Sequence, residues 1–486
     1  MKLKIFFFLS LIIINNLIFF VKKIKSNING NIKYKCENIE NILNKGNLFH
    51  GSLFNEIYRF KIGNFNNLNY KMHFNKIFNI KIKIATYIYS LKNGGIERNT
   101  ALLLNYLSQI EIFELYLFNK KKFNKQQVKE YKISGNIKRF FIFYGKKNLK
   151  RNLLKNKINI FIHQSYEDAI IAMLKTLKNI KIIFYNHSCF LFWIYYQHKT
   201  IFKTVYNGFK KMKYLISIIP FENDYLFKKW GINSIYMNNF LTYDFNRVIQ
   251  SDLSSKTILM IGRGNDKHKR LELGILAMKY IIKEIPKSKM IIISSNKGLN
   301  NLKDLVNILS LKKYIYFSGY TNNPEIFFKN SSLHLFPTIS EAFPMVLSET
   351  KIYGIPSILL GIDYVSTAKK GNIIIYDDNP EIIGKYATQI LINDKYRKEL
   401  GKKARRSMKK FNNQALFKKW VKLILSINKG EDCFRNFKKK YKSLNINESI
   451  GILKNQVKLL KKRIPLLINL TLNNILNFSF IKNIYN

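Results

Sequence analysis

Short β-branched runs alternate with longer stretches of helically spaced apolar residues from about residue 80 to residue 430. The first run, Ile80-Lys81-Ile82-Lys83-Ile84-Ala85-Thr86-Tyr87-Ile88, predicts a strand. Asn93-Gly94-Gly95 then predicts a turn, and Ile96 to Leu107 a helix. Further strands are expected at Ile158–Ile162, ending at His163, at Lys181–Tyr185, ending at Asn186-His187, and at Lys213–Ser217. A helix is expected near Tyr166–Leu177. Strand, glycine turn and helix open a βαβ unit, so residues 79–245 read as one doubly wound α/β domain.

The polar stretch Asp244 to Ser255 precedes a second such domain over 255–410. Its expected strands are Thr257–Gly262, Met290–Ser294, Tyr314–Phe317, Leu333–Phe336 and Ser357–Leu360, with a helix over Leu271–Glu284. Two domains of this kind place a ligand in the cleft between them, at the carboxyl ends of the strands. Residues 411–429 predict a crossover helix returning to the first domain, with Trp420 on it. Residues 430–486 form a basic tail, amphipathic in part from Gln456 to Leu467.

The amino-terminal end has a different pattern. Ile5 to Val21 is almost wholly apolar, broken by Ser10, Asn15 and Asn16 and bounded by Lys4 and Lys22-Lys23. That is the short end for spanning hydrocarbon, and no small-residue cleavage site follows, so residues 1–25 are expected to be an uncleaved single-pass anchor. The lysines after the run outnumber those before it, which favours catalytic domains facing the cytosol. Residues 26–78 are an Asn/Lys-rich spacer.

The chain carries 83 Lys and Arg against 29 Asp and Glu, a net charge of +54. Lys, Asn, Ile and Phe are enriched everywhere rather than on one segment, so the charge does not mark a nucleic-acid-binding stripe, and no nucleic-acid partner is expected. Attraction to anionic membrane surfaces or phosphorylated substrates is consistent with it. Cys36, Cys189 and Cys433 are odd in number and widely spaced, which excludes a disulfide framework or zinc spacing and suits a reducing compartment.

The richest segment is Ser340-Glu341-Ala342-Phe343-Pro344-Met345-Val346-Leu347-Ser348-Glu349-Thr350. Pro344 suits a helix start and Gly354 with Pro356 its stop, leaving free backbone N–H groups at Met345 and Val346 as an anion site. Glu349 lies roughly 7.5 Å further along the axis, within reach of sugar hydroxyls beyond a bound phosphate. Glu341 would reach a second set of hydroxyls from the preceding loop. Arg263, at a strand end, and Lys269 would place two cations over the same phosphates and stabilise a departing nucleotide diphosphate.

Gly94-Gly95-Ile96-Glu97-Arg98, Gly262-Arg263 with Lys269-Arg270, Phe317-Ser318-Gly319, Ser340 to Glu349, and Gly354-Ile355-Pro356 stand in the order of the motifs of family 4 glycosyltransferases. The resemblance covers roughly residues 80–430. It implies a GT-B fold, two Rossmann-like domains facing across a cleft, and a retaining, hexosyltransferase-type enzyme. The implied donor substrate is a nucleotide-diphosphate sugar, with no cofactor and no metal, and no Asp-x-Asp occurs in the chain. The acceptor would be a glycan or lipid-linked hydroxyl, with the membrane as a further partner.

Carried over residue by residue, Arg263 and Lys269 would bind the diphosphate, Glu349 the ribose and Glu341 the transferred sugar. Gly94 and Gly95 would let the first loop approach the phosphates. The family's acceptor-domain histidine matches His187 better than His163. Ala342 departs from a common glycine, and Asn239-Phe240 from a common Asn-Gly at the interdomain hinge. Ser188 to His198, rich in aromatics, fits either an acceptor face or a core helix. The alternatives are a nucleotide-sugar epimerase of the same fold and a non-catalytic basic membrane protein with a decayed enzyme fold.

Overall fold

A computed structural model describes residues 81–434 and 446–458, apart from 92–93, 123, 143–144, 165–175, 198, 296–297 and 322. The expected anchor, the spacer, most of the helix near Tyr166 and most of the tail therefore lie outside the described residues. Among the described residues no helix is long and apolar enough to cross a membrane.

The first domain runs β1 (Ile82–Ile88), α1 (Gly95–Leu107), β2 (Phe113–Asn119), α2 (Lys125–Glu130), β3 (Lys138–Phe141), α3 (Gly145–Lys155), β4 (Ile160–His163), β5 (Lys181–Asn186), α4 (Phe190–Gln197), α5 (Lys199–Lys211), β6 (Tyr214–Ser217), α6 (Pro220–Trp230) and β7 (Ile235–Tyr236). Its strands form one parallel sheet in the order β3-β2-β1-β4-β5-β6-β7. Central strands such as β4 (IFIH) are buried along their whole length, as a parallel sheet covered on both faces requires.

The second domain runs β8 (Thr257–Ile261), α7 (Leu271–Glu284), β9 (Lys289–Ile293), α8 (Leu299–Ile308), β10 (Ile315–Phe317), α9 (Glu325–Lys329), β11 (Leu333–Phe336), α10 (Met345–Ile352), β12 (Ser357–Leu360), β13 (Asn372–Ile375), α11 (Pro380–Ile392) and α12 (Asp394–Met408). Its sheet is again parallel, in the order β10-β9-β8-β11-β12-β13. Its core joins Ile258, Met260, Met290, Ile292, Leu333, Leu335 and Ile358 from the strands to Leu273, Ala277 and Ile281 of α7 and Ile383 and Ile390 of α11. Gly274 lets α7 lie close on the sheet: a Cβ there would stand 2.2 Å from the Met260 sulfur.

In both parallel sheets the strand order reverses its direction of growth, between β1 and β4 and between β8 and β11. Those switch points are where ligands bind in open α/β sheets. After α12 the chain continues into α13 (Asn413–Lys429), which returns to pack on the first domain, against α1. Asn413 fastens its start, accepting the Leu241 N–H at 2.8 Å and donating to the Leu241 carbonyl at 2.9 Å. Trp420 is buried with its ring 5.1 Å from Tyr185. Strands β2, β3, β7 and β13 are additions to the sequence expectation; β7 has two residues and β3 four, too few to show a period.

Candidate active site

As β8 ends, Gly262 donates its N–H to the Ile293 carbonyl at 3.1 Å. A Cβ on Gly262 would lie 3.1 Å from Lys269 Cβ, so the glycine makes room for the lysine stem to lie back across the strand end. The Lys269 ammonium thereby reaches Glu341, Nζ to Oε1 2.5 Å. The same carboxylate oxygen accepts from Thr338 at 3.1 Å, and the Glu341 N–H donates to the Tyr364 hydroxyl at 3.1 Å. Arg263 stands at the mouth, 66% exposed, its guanidinium on Asp266 at 2.6 Å. Asp266 also accepts the His268 N–H at 3.0 Å, which closes the turn. Arg270 is buried instead and donates to the Pro337 carbonyl at 2.8 Å, a tie between this loop and the end of β11.

Helix α10 starts after Pro344 without a side-chain cap, so the backbone N–H groups of Met345 and Val346 point out of its start. Thr350 is held to His334 of β11 at 3.1 Å, and the buried Lys351 ammonium donates to the Thr367 carbonyl at 2.6 Å and to Asn372 at 2.8 Å. Gly354, at φ +77°, ends the helix in the left-handed region. On the other face Glu349 forms an ion pair with Arg98 of α1, and its Oε1 also accepts from Thr242 at 2.7 Å. Glu349 is 2% exposed. The sequence reading had this carboxylate open to ribose hydroxyls; in the structure its first oxygen belongs to Arg98 and Thr242. Glu349 in turn holds the Arg98 guanidinium above its usual range, against the opposing effect of burial.

Across the cleft, Gly94 is extended at φ −154°. A Cβ on Gly94 would collide with the Glu97 carboxylate, and one on Gly95 would stand 3.4 Å from Met345 Cγ. What lies against the glycine pair is therefore Glu97 and the start of α10. Burial raises the Glu97 pKa, while the nearby Arg263 charge works the other way.

His187, just past β5, is half-buried, with Nε2 2.7 Å from Gln164 Oε1 and its ring 4.0 Å from that of Tyr185. Burial pushes its pKa down to about 3, opposed by a hydrogen bond with Asn239. At neutral pH His187 is thus an uncharged hydrogen-bonding group. His163 lies in the core, 5.4 Å from the Phe184 ring, and is fully buried. Phe190 and Phe192 are buried too, so this part of the aromatic segment is a core helix. Tyr196 is half-buried and, with Phe192, meets His268 of the second domain edge-on, at 6.3 and 5.6 Å.

Arg98, Thr242, Thr338, Tyr364 and Gln164 were missed as site residues. Arg98 was legible, as a basic residue one helical turn past a glycine pair at a strand end. The others are neutral side chains on connections, with no periodic or charge signal. Among the described residues no group of His, Cys, Asp or Glu is arranged to hold a metal ion.

Residues 244–407 match the family described as Glycosyl transferases group 1. An uncharacterized glycosyltransferase of Haemophilus influenzae is 21% identical over 176 residues, 35% of this chain and 50% of the relative. The chain thus spans about half the length of that curated relative. Among solved structures, sucrose-phosphate synthase from Thermosynechococcus elongatus is similar with a TM-score of 0.61 and 14% identity, over 72% of this chain and 100% of that one. HepE of Anabaena, in complex with UDP and glucose, is similar with a TM-score of 0.59 and 11% identity, over 71% of this chain and 100% of that one. Two parallel-sheet domains with their motifs at the switch points make this a GT-B fold, and its second domain matches the group 1 glycosyl transferases over residues 244–407.

Proposed function

We propose that the protein transfers a sugar from a nucleotide-diphosphate sugar to a hydroxyl of a glycan or lipid-linked acceptor, with retention of configuration. The observation that carries this reading is the Lys269–Glu341 pair at the β8/β11 switch point, beside the uncapped start of α10. A cation, two backbone N–H groups and a carboxylate in one place suit a diphosphate and the sugar attached to it. HepE, of the same fold, holds UDP and glucose, which favours a uridine diphosphate sugar as the first donor to try.

In this reading the bond from the sugar C1 to the diphosphate breaks and a bond from C1 to the acceptor oxygen forms, the acceptor losing its proton. Lys269 and Arg263 stabilise the charge gathering on the leaving diphosphate, helped by the N–H groups of Met345 and Val346. Glu341 holds the transferred sugar, and neutral His187 contacts it from the first domain by a hydrogen bond. Glu349 serves the ribose through its second oxygen, its first being fixed by Arg98. Gly94 and Gly95 bring the first loop up to the donor. No metal is needed, the cations being supplied by side chains. Residues 1–25 would anchor the protein in a membrane with these domains on the cytosolic side.

The test is a thermal-shift panel of nucleotide sugars, followed by product analysis by NMR with the best donor. A stabilising nucleotide sugar and a product of unchanged anomeric configuration support the reading. Conversion of the free nucleotide sugar to its epimer, or no nucleotide sugar bound at all, would sink it.

A further inference from the structure

Tyr364 lies beyond β12 in Gly361-Ile362-Asp363-Tyr364, in the second domain. Its hydroxyl accepts the backbone N–H of Glu341 at 3.1 Å. Its ring is 3% exposed and packs edge-on, centroids 5.6 Å apart, against Phe221 in the first turn of α6, in the first domain. Buried Cys189, just before α4, interacts with both the Glu222 carboxyl and the Tyr364 hydroxyl. Glu222 is itself pinned, accepting the Leu191 N–H at 3.2 Å. Tyr364 therefore belongs to the donor domain by chain but is packed by residues of the acceptor domain.

The Glu341 carboxylate is aimed by Lys269 and Thr338, both in its own domain. Its backbone N–H relies on one phenol whose place is set from across the cleft. A shift of the acceptor domain would loosen that ring and take the acceptor from the N–H, letting the loop between β11 and α10 move. We infer that Tyr364 is a positioning residue, holding Glu341 in register with the transferred sugar only while the two domains are together. This rests on the reading of Glu341 as the sugar-contacting carboxylate.

Tyr364→Phe removes one oxygen and keeps the ring against Phe221. Loss of one hydrogen bond should speed amide hydrogen exchange at Glu341 roughly five- to tenfold. It should lower kcat by a similar factor, about five- to tenfold, with donor KM changed less than about twofold, since the loss falls on positioning rather than ground-state binding. Phe221→Leu, a change in the other domain that alters the packing of the Tyr364 ring, should speed exchange at the same amide. Unchanged exchange at Glu341 in either variant overturns the inference, as does a parallel change of kcat and KM. Exchange reports the contact whether or not a nucleotide sugar is turned over, so a failure here is distinct from failure of the glycosyltransferase reading.

Discussion

Arg98 in the first turn of α1 and Glu349 in α10 are joined by an ion pair that crosses from one domain to the other. Thr242, on the connection between the domains, donates to the same carboxylate oxygen at 2.7 Å. The pair links the motif of the first loop to that of α10, and it leaves a carboxylate that is 2% exposed dependent on a guanidinium that is 33% exposed.

Removing Arg98 strands that buried carboxylate. Breaking one side of a buried pair costs about 3–5 kcal/mol, and the partial exposure of Arg98 places the expected loss near the lower end, about 3 kcal/mol. Urea denaturation of Arg98→Ala checks this. The double variant Arg98→Ala/Glu349→Ala should recover part of the loss, because the uncompensated charge is gone. Full additivity of the two substitutions would show that the pair is not coupled.

Lys269→Ala should lower kcat by roughly two to three orders of magnitude, the scale for losing one group that stabilises developing charge. Arg263→Ala should cost less, about tenfold, because solvent screens a guanidinium that is 66% exposed. Glu349→Ala should chiefly raise donor KM, ribose contacts being equal before and during reaction, and Glu341→Ala should affect kcat and KM together. Steady-state kinetics on the four variants checks the order; a harmless Lys269→Ala would remove the proposed centre.

Glu222 brings a pH dependence to stability. Burial pushes its carboxyl up to about 8 from its ordinary 4.5, with hydrogen bonds from the Leu191 and Phe190 backbone and Cys189 opposing. A raised folded pKa means the stabilising contribution is fully present below about 4.5 and is lost as pH rises through about 8. Between those values the folded state holds a proton that the unfolded state releases, so stability falls. Denaturation midpoints of the wild type should fall more steeply over that window than those of Glu222→Gln. Identical slopes would show that Glu222 is ionised in the folded protein.

Deleting residues 1–25 should release the protein from membranes, since Ile5 to Val21 is an apolar run long enough to anchor it. Fractionation before and after a high-salt wash checks this. Tight binding of the truncated protein that salt disrupts would shift the attraction to its surface charge.

Sequence alone determined the two α/β domains and singled out the loops that line the candidate site. Alternation of β-branched runs with helical spacing is local, and so are glycines at strand ends, Pro344 before α10 and Gly354 after it. Arg263, Lys269, Glu341 and Glu349 could be singled out because charged residues beside such punctuation stand out along the chain. Tertiary structure decided what each of them touches. Lys269 meets Glu341 across 72 residues and Arg98 meets Glu349 across 251, pairings set by sheet order and domain packing, which leave no trace in spacing. It also separated His187 from His163: both follow apolar strands, but one ends half-buried against Gln164 and the other among Phe161 and Phe184. The same packing buried Phe190 and Phe192 and left Tyr196 against His268, because which face of an all-apolar helix is covered depends on the neighbours brought to it and not on the helix itself.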